Sequence, residues 1–177
     1  MRAGSYERAG VQDVLVRAKV PKGSFYHFFP SKEDFGLAVI EHYAAQVREA
    51  FRRHLFARRV PPLRRAARLF GELEQAAVAQ RCRGGCLMGN MAQEQADVSE
   101  AFRSRLDLLF AEQRSLLSDC LAEAQERGEL DSSLDPQATA TFCLGAWQGA
   151  LLQMKVTRNA EPLRRFRAMV FGRLLRE

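Results

Sequence analysis

Residues 10–30 read Gly10-Val11-Gln12-Asp13-Val14-Leu15-Val16-Arg17-Ala18-Lys19-Val20-Pro21-Lys22-Gly23-Ser24-Phe25-Tyr26-His27-Phe28-Phe29-Pro30. This stretch predicts a short helix from Val11 to Ala18, a tight turn, and a second short helix from about Lys22 to Phe28. Two short helices joined by a three- or four-residue turn form a helix-turn-helix. On the second helix Phe25 and Phe28 share a face and are expected to point inward. Lys22, Ser24, Tyr26 and His27 are left pointing outward. Lys22, Gly23 and Ser24 open that helix, where free N–H groups and the helix dipole favour a phosphate. Gly23 lets a ligand approach the backbone. Tyr26 and His27 can reach base edges or phosphates in a major groove, Lys32 adds a cation on the same side, and Gln12 is a weaker phosphate candidate. The same residue types would also suit an ordinary exposed turn.

The charge distribution suits a nucleic-acid-binding head and a solvated basic face alike. Residues 1–60 hold 11 Lys/Arg against 6 Asp/Glu, whereas residues 61–177 hold 16 against 15. Nearly all of the net +6 therefore sits in the first third, as expected for a polyanion-binding head on a neutral body. With 177 residues, 47% hydrophobic and 27% charged, the chain has the balance of a globular protein with a real core. No apolar run approaches the roughly 20 residues of a membrane span. The start, Met1 to Tyr6, has no apolar stretch and is not read as a signal peptide, so a cytoplasmic location and no membrane partner are expected. The cysteines, Cys82, Cys86, Cys120 and Cys143, have no two-residue spacing, and His27, His42 and His54 are too scattered to complete a metal site with them. No metal, cofactor or catalytic constellation is expected, and an enzyme is not the reading.

Beyond Pro30, apolar residues recur at three and four and strand signals are almost absent, so the fold class is all-α. Ser31 caps a helix to about Ala57, with Asp34 at the capping-box position and a stripe of Phe35, Val39, Tyr43, Val47, Ala50 or Phe51, and Phe56. Pro61-Pro62 opens the next, with Leu63, Ala66, Ala67, Phe70, Leu73, Ala77 and Val78 inward, until the run Arg81 to Gly85 breaks it. A short helix from about Cys86 to Ala96 follows, and Ser99 then caps a long one ending near Gly128. Asp135-Pro136 opens a helix to about Val156 that is apolar or small on every side, and Glu161-Pro162 opens a last helix reaching Leu175.

The run from Lys22 to Glu33 closely resembles the recognition-helix signature of the tetracycline-repressor (TetR) family, and Gly10 to Leu15 looks like that family's preceding helix. The Cys86-Leu87-Met88-Gly89-Asn90 stretch is similar to a subgroup that includes electrophile- and acrylate-responsive repressors. The resemblance implies a DNA-binding head over residues 1–43 and an effector-binding and dimerisation body over residues 44–177. It implies operator DNA, a small-molecule effector and a homodimeric partner, and a repressor that a small apolar or amphipathic effector releases from its operator. Family members begin with a helix of about four turns over the helix-turn-helix, whereas Met1 to Ala9 hold only its end. A head shortened in this way is expected to leave Val14, Leu15 and Phe25 exposed. The alternative is an effector-binding or thiol-sensing dimer without competent DNA binding.

Within the body, Phe70, Met88, Met91, Phe110, Trp147 and Met154 are candidates to line an adaptable apolar pocket, or else plain core. Asn90, Gln93, Gln113 and Gln148 are polar residues amid apolar helices that can orient a ligand. Cys86 follows Arg81, Arg83 and two glycines at a probable helix start, where cations and a helix dipole favour the thiolate; a buried structural cysteine is the other reading. Gly145 and Gly149 lie one turn apart and allow close helix approach. With Leu152, Phe166 and Val170 they are the candidate dimer interface, the last two helices pairing with their symmetry mates as a four-helix bundle.

Overall fold

The computed structural model describes residues 6–7 and 10–175, and every described secondary-structure element is helical. The expected end of a leading helix lies largely outside the described residues. The order is α1 (Val11–Ala18), α2 (Lys22–Phe28), α3 (Lys32–Leu55), α4 (Pro62–Ala79), α5 (Leu87–Gln95), α6 (Glu100–Glu126), α7 (Pro136–Thr157) and α8 (Glu161–Met169). The starts follow the capping chemistry. Ser31 accepts from the Asp34 N–H, Cys86 from Gly89, Ser99 from Phe102 and Asp135 from Gln137. Pro62, Pro136 and Pro162 occupy the first turns of α4, α7 and α8, where a missing N–H costs nothing. The last helix does not run unbroken to Leu175: after Met169 it widens into a π turn over Val170–Leu174.

α3 is continuous from beside the head to the far end of the body, passing through residue 43 without a break. Its core face runs through Gly36, Ile40, Ala44, Ala50, Phe51 and Leu55. The expected stripe of Phe35, Val39, Tyr43 and Val47 is rotated from that face and only half-buried, and Phe56 is exposed. The small residue Gly36 marks where other elements press closest, a signal that a search for large apolar residues passes over. On α4, Val78 is exposed, whereas Arg65 and Glu74 take buried positions.

Two cores result. The larger packs the second halves of α3 and α6 with α4, α7 and α8. Its centre is an aromatic group in which Phe70 meets Trp147 at 5.3 Å, Phe166 at 5.0 Å and Phe171 at 5.5 Å between ring centroids. The smaller joins the start of α3 to α5 and the first half of α6, and includes Tyr6. The Tyr6 hydroxyl donates to the Lys32 carbonyl at 2.9 Å, and its ring stands edge-on to Phe102 at 5.3 Å. A Cβ on Gly36 would fall 2.7 Å from both rings, so the start of α3 is clamped where only hydrogen fits.

Beside this clamp α3 and α6 are joined by two bidentate ion pairs. Arg48 donates to both Glu112 oxygens at 2.5 and 2.7 Å, and Arg105 engages Glu41 in the same way. Hydrogen bonds from these guanidinium groups hold both carboxyls below the ordinary value of 4.5. Their contribution is therefore complete above about pH 4.5 and is lost as pH falls through the lowered folded values. The urea midpoint should drop below pH 4.5, and Glu112→Gln should flatten that drop; an unchanged pH profile in the variant would remove the pair from the account.

Candidate DNA-binding and effector sites

The head is built as the sequence predicts in its backbone. α1 ends at Lys19, whose φ of 55° turns the chain into the left-handed region, and the Val20 N–H closes the turn on the Leu15 carbonyl at 3.1 Å. Extended Val20 and Pro21 then lead into α2. Phe25 is buried and packs on Phe29 at 5.5 Å and Phe35 at 5.3 Å, which fixes α2 against the start of α3. Two expectations are corrected here. Phe28 does not share the inward face: it is 71% exposed, because the seven-residue α2 turns only one wedge toward Phe29 and Phe35 and Phe25 fills it. Leu15 and Phe25 are buried and Val14 half-buried, so the exposed apolar surface lies instead at Val16, Val20 and Phe28.

Gln12, Lys22, Gly23, Tyr26 and His27 are exposed and Ser24 is half-buried. Nothing lies within 4 Å of a Cβ placed on Gly23, so this backbone is open to close approach. Lys32 is less free than expected. Its ammonium donates to the Glu7 carbonyl at 3.0 Å and sits 4.7 Å from the Tyr6 ring centre. An ammonium has three donors, so a phosphate contact has to share it with this anchor.

Two adjoining cavities open in the body around Cys86 and Gln148. One of about 80 Å³ is bounded by Tyr43, Val47 and Phe51 of α3, by Gln113 of α6, and by Trp147 and Gln148 of α7. The other, of about 320 Å³, is bounded by Asn90, Gln93, Phe110, Gln148 and Lys155. Cys86, Gly85, Gln148 and Leu151 line both. Thus Cys86, Asn90, Phe110, Gln113, Trp147 and Gln148 all lie in the walls of these two cavities. Phe70, Met88 and Met91 line neither cavity and are fully buried, as is Met154. Met88 stands behind the lining, its sulfur accepting from Gln113 at 3.6 Å. Sequence reasoning missed Tyr43, because it was counted as stripe, and Lys155, whose ammonium donates to the Asn90 side-chain oxygen at 3.2 Å. The cavity floor uses the loop before α5, where Arg81 and Cys82 join Gly84 and Gly85 at positive φ. Cys86 is half-buried at the head of α5, whereas burial pushes the thiols of Cys120 and Cys143 up to about 11 and keeps them protonated.

Further round α7, Gly145 and Gly149 have nothing within 4 Å of a Cβ position, and Gly149, with Leu152, also borders the larger of the two cavities. Phe142, Leu152 and Val156 of α7 and Met169 and Leu174 beyond them are exposed. Between α7 and α8 runs an apolar groove of about 700 Å³ with Gly149, Phe166 and Val170 in its lining. Phe166 and Val170 are largely buried within their own subunit, so they form the floor of this face rather than its rim.

The comparisons with known proteins agree with this layout. Residues 1–39 match the family described as "Bacterial regulatory proteins, tetR family", and residues 62–170 match "Tetracyclin repressor-like, C-terminal domain". The chain is 37% identical over 170 residues to the HTH-type transcriptional repressor DhaR of Mycobacterium sp. strain GP1, covering 96% of this chain and 84% of that one. It is 37% identical over 169 residues to the transcriptional regulator AcuR of Cereibacter sphaeroides, covering 95% and 76%. The crystal structure of a regulatory protein TetR from Rhodobacter sphaeroides superposes with a TM-score of 0.90 at 35% identity, covering 96% of this chain and 89% of that one. With a helix-turn-helix head, an all-helical body and these relatives, the chain belongs to the TetR family and is a DNA-binding transcriptional regulator.

Proposed function

We propose that the protein is a cytoplasmic homodimeric repressor, that its two heads dock in successive major grooves through α1 and α2, and that an effector in the cavities around Cys86 and Gln148 releases it. The observation that carries this reading is α3. Tyr43, Val47 and Phe51 wall the cavity, and the same helix begins at Lys32 beside the head. An effector that binds one arrangement of α3 better shifts the population toward it, and the heads then stand at the wrong separation for one operator. Residues 1–43 act as the head and 44–177 as the body, with Lys22, Ser24 and Lys32 on phosphates and Tyr26, His27 and Gln12 nearer the base edges or the flanking backbone. A gel-shift series on the chain's own promoter tests this. Two lysines in each of two heads neutralise several phosphates, so the log–log salt slope should be about −4 or steeper, at roughly −0.9 per phosphate. Tyr26→Ala should relax sequence preference, and binding that ignores salt would sink the docking.

Cys86 gives a second reading of the same site, since it lines both cavities and is only half-buried. Alkylation of its thiol would then act as the effector does. Iodoacetamide should weaken operator binding by the parent protein and leave Cys86→Ser unaffected; equal loss in both would place the effect at another residue.

A further inference from the structure

A third cavity, of about 310 Å³, lies at the far end of α3, walled by Leu55, Phe56, Leu116, Cys120 and a group of charged residues. It shares no lining residue with the two cavities around Cys86. Its volume lies at the lower end of the range for small-molecule sites. The charged group is Arg58, Arg65 and Arg127 against Asp119 and Glu123. Glu123 is already shared, standing 2.6 Å from Arg65 and 2.7 Å from Arg127. One positive charge is therefore left over when all five are ionised.

Arg65 is the unusual member, being 2% exposed. Its Nη1 donates to the Leu55 carbonyl at 2.6 Å and its Nη2 stands 2.6 Å from a Glu123 carboxylate oxygen, whereas Nε makes no hydrogen bond. A buried guanidinium with an unmet donor carries a desolvation cost that an additional acceptor would offset. Glu123 takes Nη2, and the Cys120 thiol is turned to the Pro62 carbonyl at 3.4 Å, so neither reaches Nε. Leu55, Phe56 and Leu116 complete the wall and offer apolar surface.

We propose that this cavity is a second small-molecule site, taking a monoanionic amphipathic ligand whose carboxylate faces the arginines and whose short apolar chain lies on Leu55, Phe56 and Leu116. Such a ligand supplies the negative charge that balances the cluster, and its chain covers the apolar wall. The site is independent of the effector cavities, so its occupancy does not have to report through Trp147, the single tryptophan.

Calorimetric titration of the full chain with hexanoate, and with hexan-1-ol as its neutral counterpart, tests this. Hexanoate should bind saturably, one per chain, at least tenfold more tightly than the alcohol. Arg58→Glu and Arg127→Glu reverse exposed charges in the cavity wall, the second also giving up the Glu123 ion pair, and each should weaken hexanoate by at least tenfold. The emission of Trp147 should stay unchanged throughout. The proposal is overturned if hexanoate gives no saturable heat at millimolar concentration, if the alcohol binds equally well, or if both charge reversals leave affinity intact. It is equally overturned if hexanoate binding is lost in Trp147→Phe and kept in both arginine variants, which would return the ligand to the effector cavity.

Discussion

Gly149→Arg should convert the protein from a dimer to a monomer and abolish tight operator binding without unfolding the subunit. The subunit survives because a Cβ at position 149 meets nothing within 4 Å. The proposed dimer does not survive, because this glycine, which also borders the larger cavity near Cys86, lines the apolar groove between α7 and α8 beside exposed Phe142 and Met169. A two-fold interface places the new charge in both copies. Leaving unpaired charges buried costs about 3–5 kcal/mol each, which raises the dissociation constant by several orders of magnitude. Each released head then reads one half-site alone. Sedimentation should give a 20.0 kDa species for the variant and twice that mass for the parent. A parent that runs as a monomer, or a variant that stays dimeric, removes the α7–α8 face from the interface.

Phe70→Ala should have the largest effect on stability. The ring is fully buried and touches Trp147, Phe166 and Phe171. Truncating such a side chain costs about 3–5 kcal/mol. Urea unfolding should show the loss as a lower midpoint at unchanged slope. Because Phe70 lines neither effector cavity, effector affinity in the remaining folded protein should be nearly that of the parent. A large change in affinity with little change in midpoint would return Phe70 to the ligand site, where the sequence first placed it.

That contrast shows where sequence reasoning stops. Helix starts were legible because Ser31, Ser99, Asp135 and the three prolines act locally, through their own backbone neighbours. The head was legible for the same reason, since a turn at Lys19 and two short helices need no distant contact. Which large apolar residues face a cavity and which face one another is decided by tertiary packing. Phe70 and Trp147 look alike along the chain, yet only Trp147 reaches the cavity. Tyr43 and Lys155 were missed because their partners lie on other helices, and the small residues Gly36 and Ala44 gave no apolar signal although both are on the core face of α3 and Gly36 sits at a close contact. Phe28 was misplaced because a seven-residue helix has too few turns for periodicity to choose between faces.

The unbroken course of α3 sets the scale of the motion that regulation requires. From Phe51 at the cavity wall to Lys32 beneath the head the helix covers about 28 Å, at 1.5 Å per residue. A tilt of about 7° about the cavity end carries the other end through about 3.4 Å, the length of one base-pair step along a strand. Two heads related by a two-fold axis move in opposite senses, so their separation changes by twice that arc. Under the proposed mechanism, a ligand that displaces Phe51 or Val47 by a fraction of an ångström would be read out at the DNA as a phase error of about two base pairs.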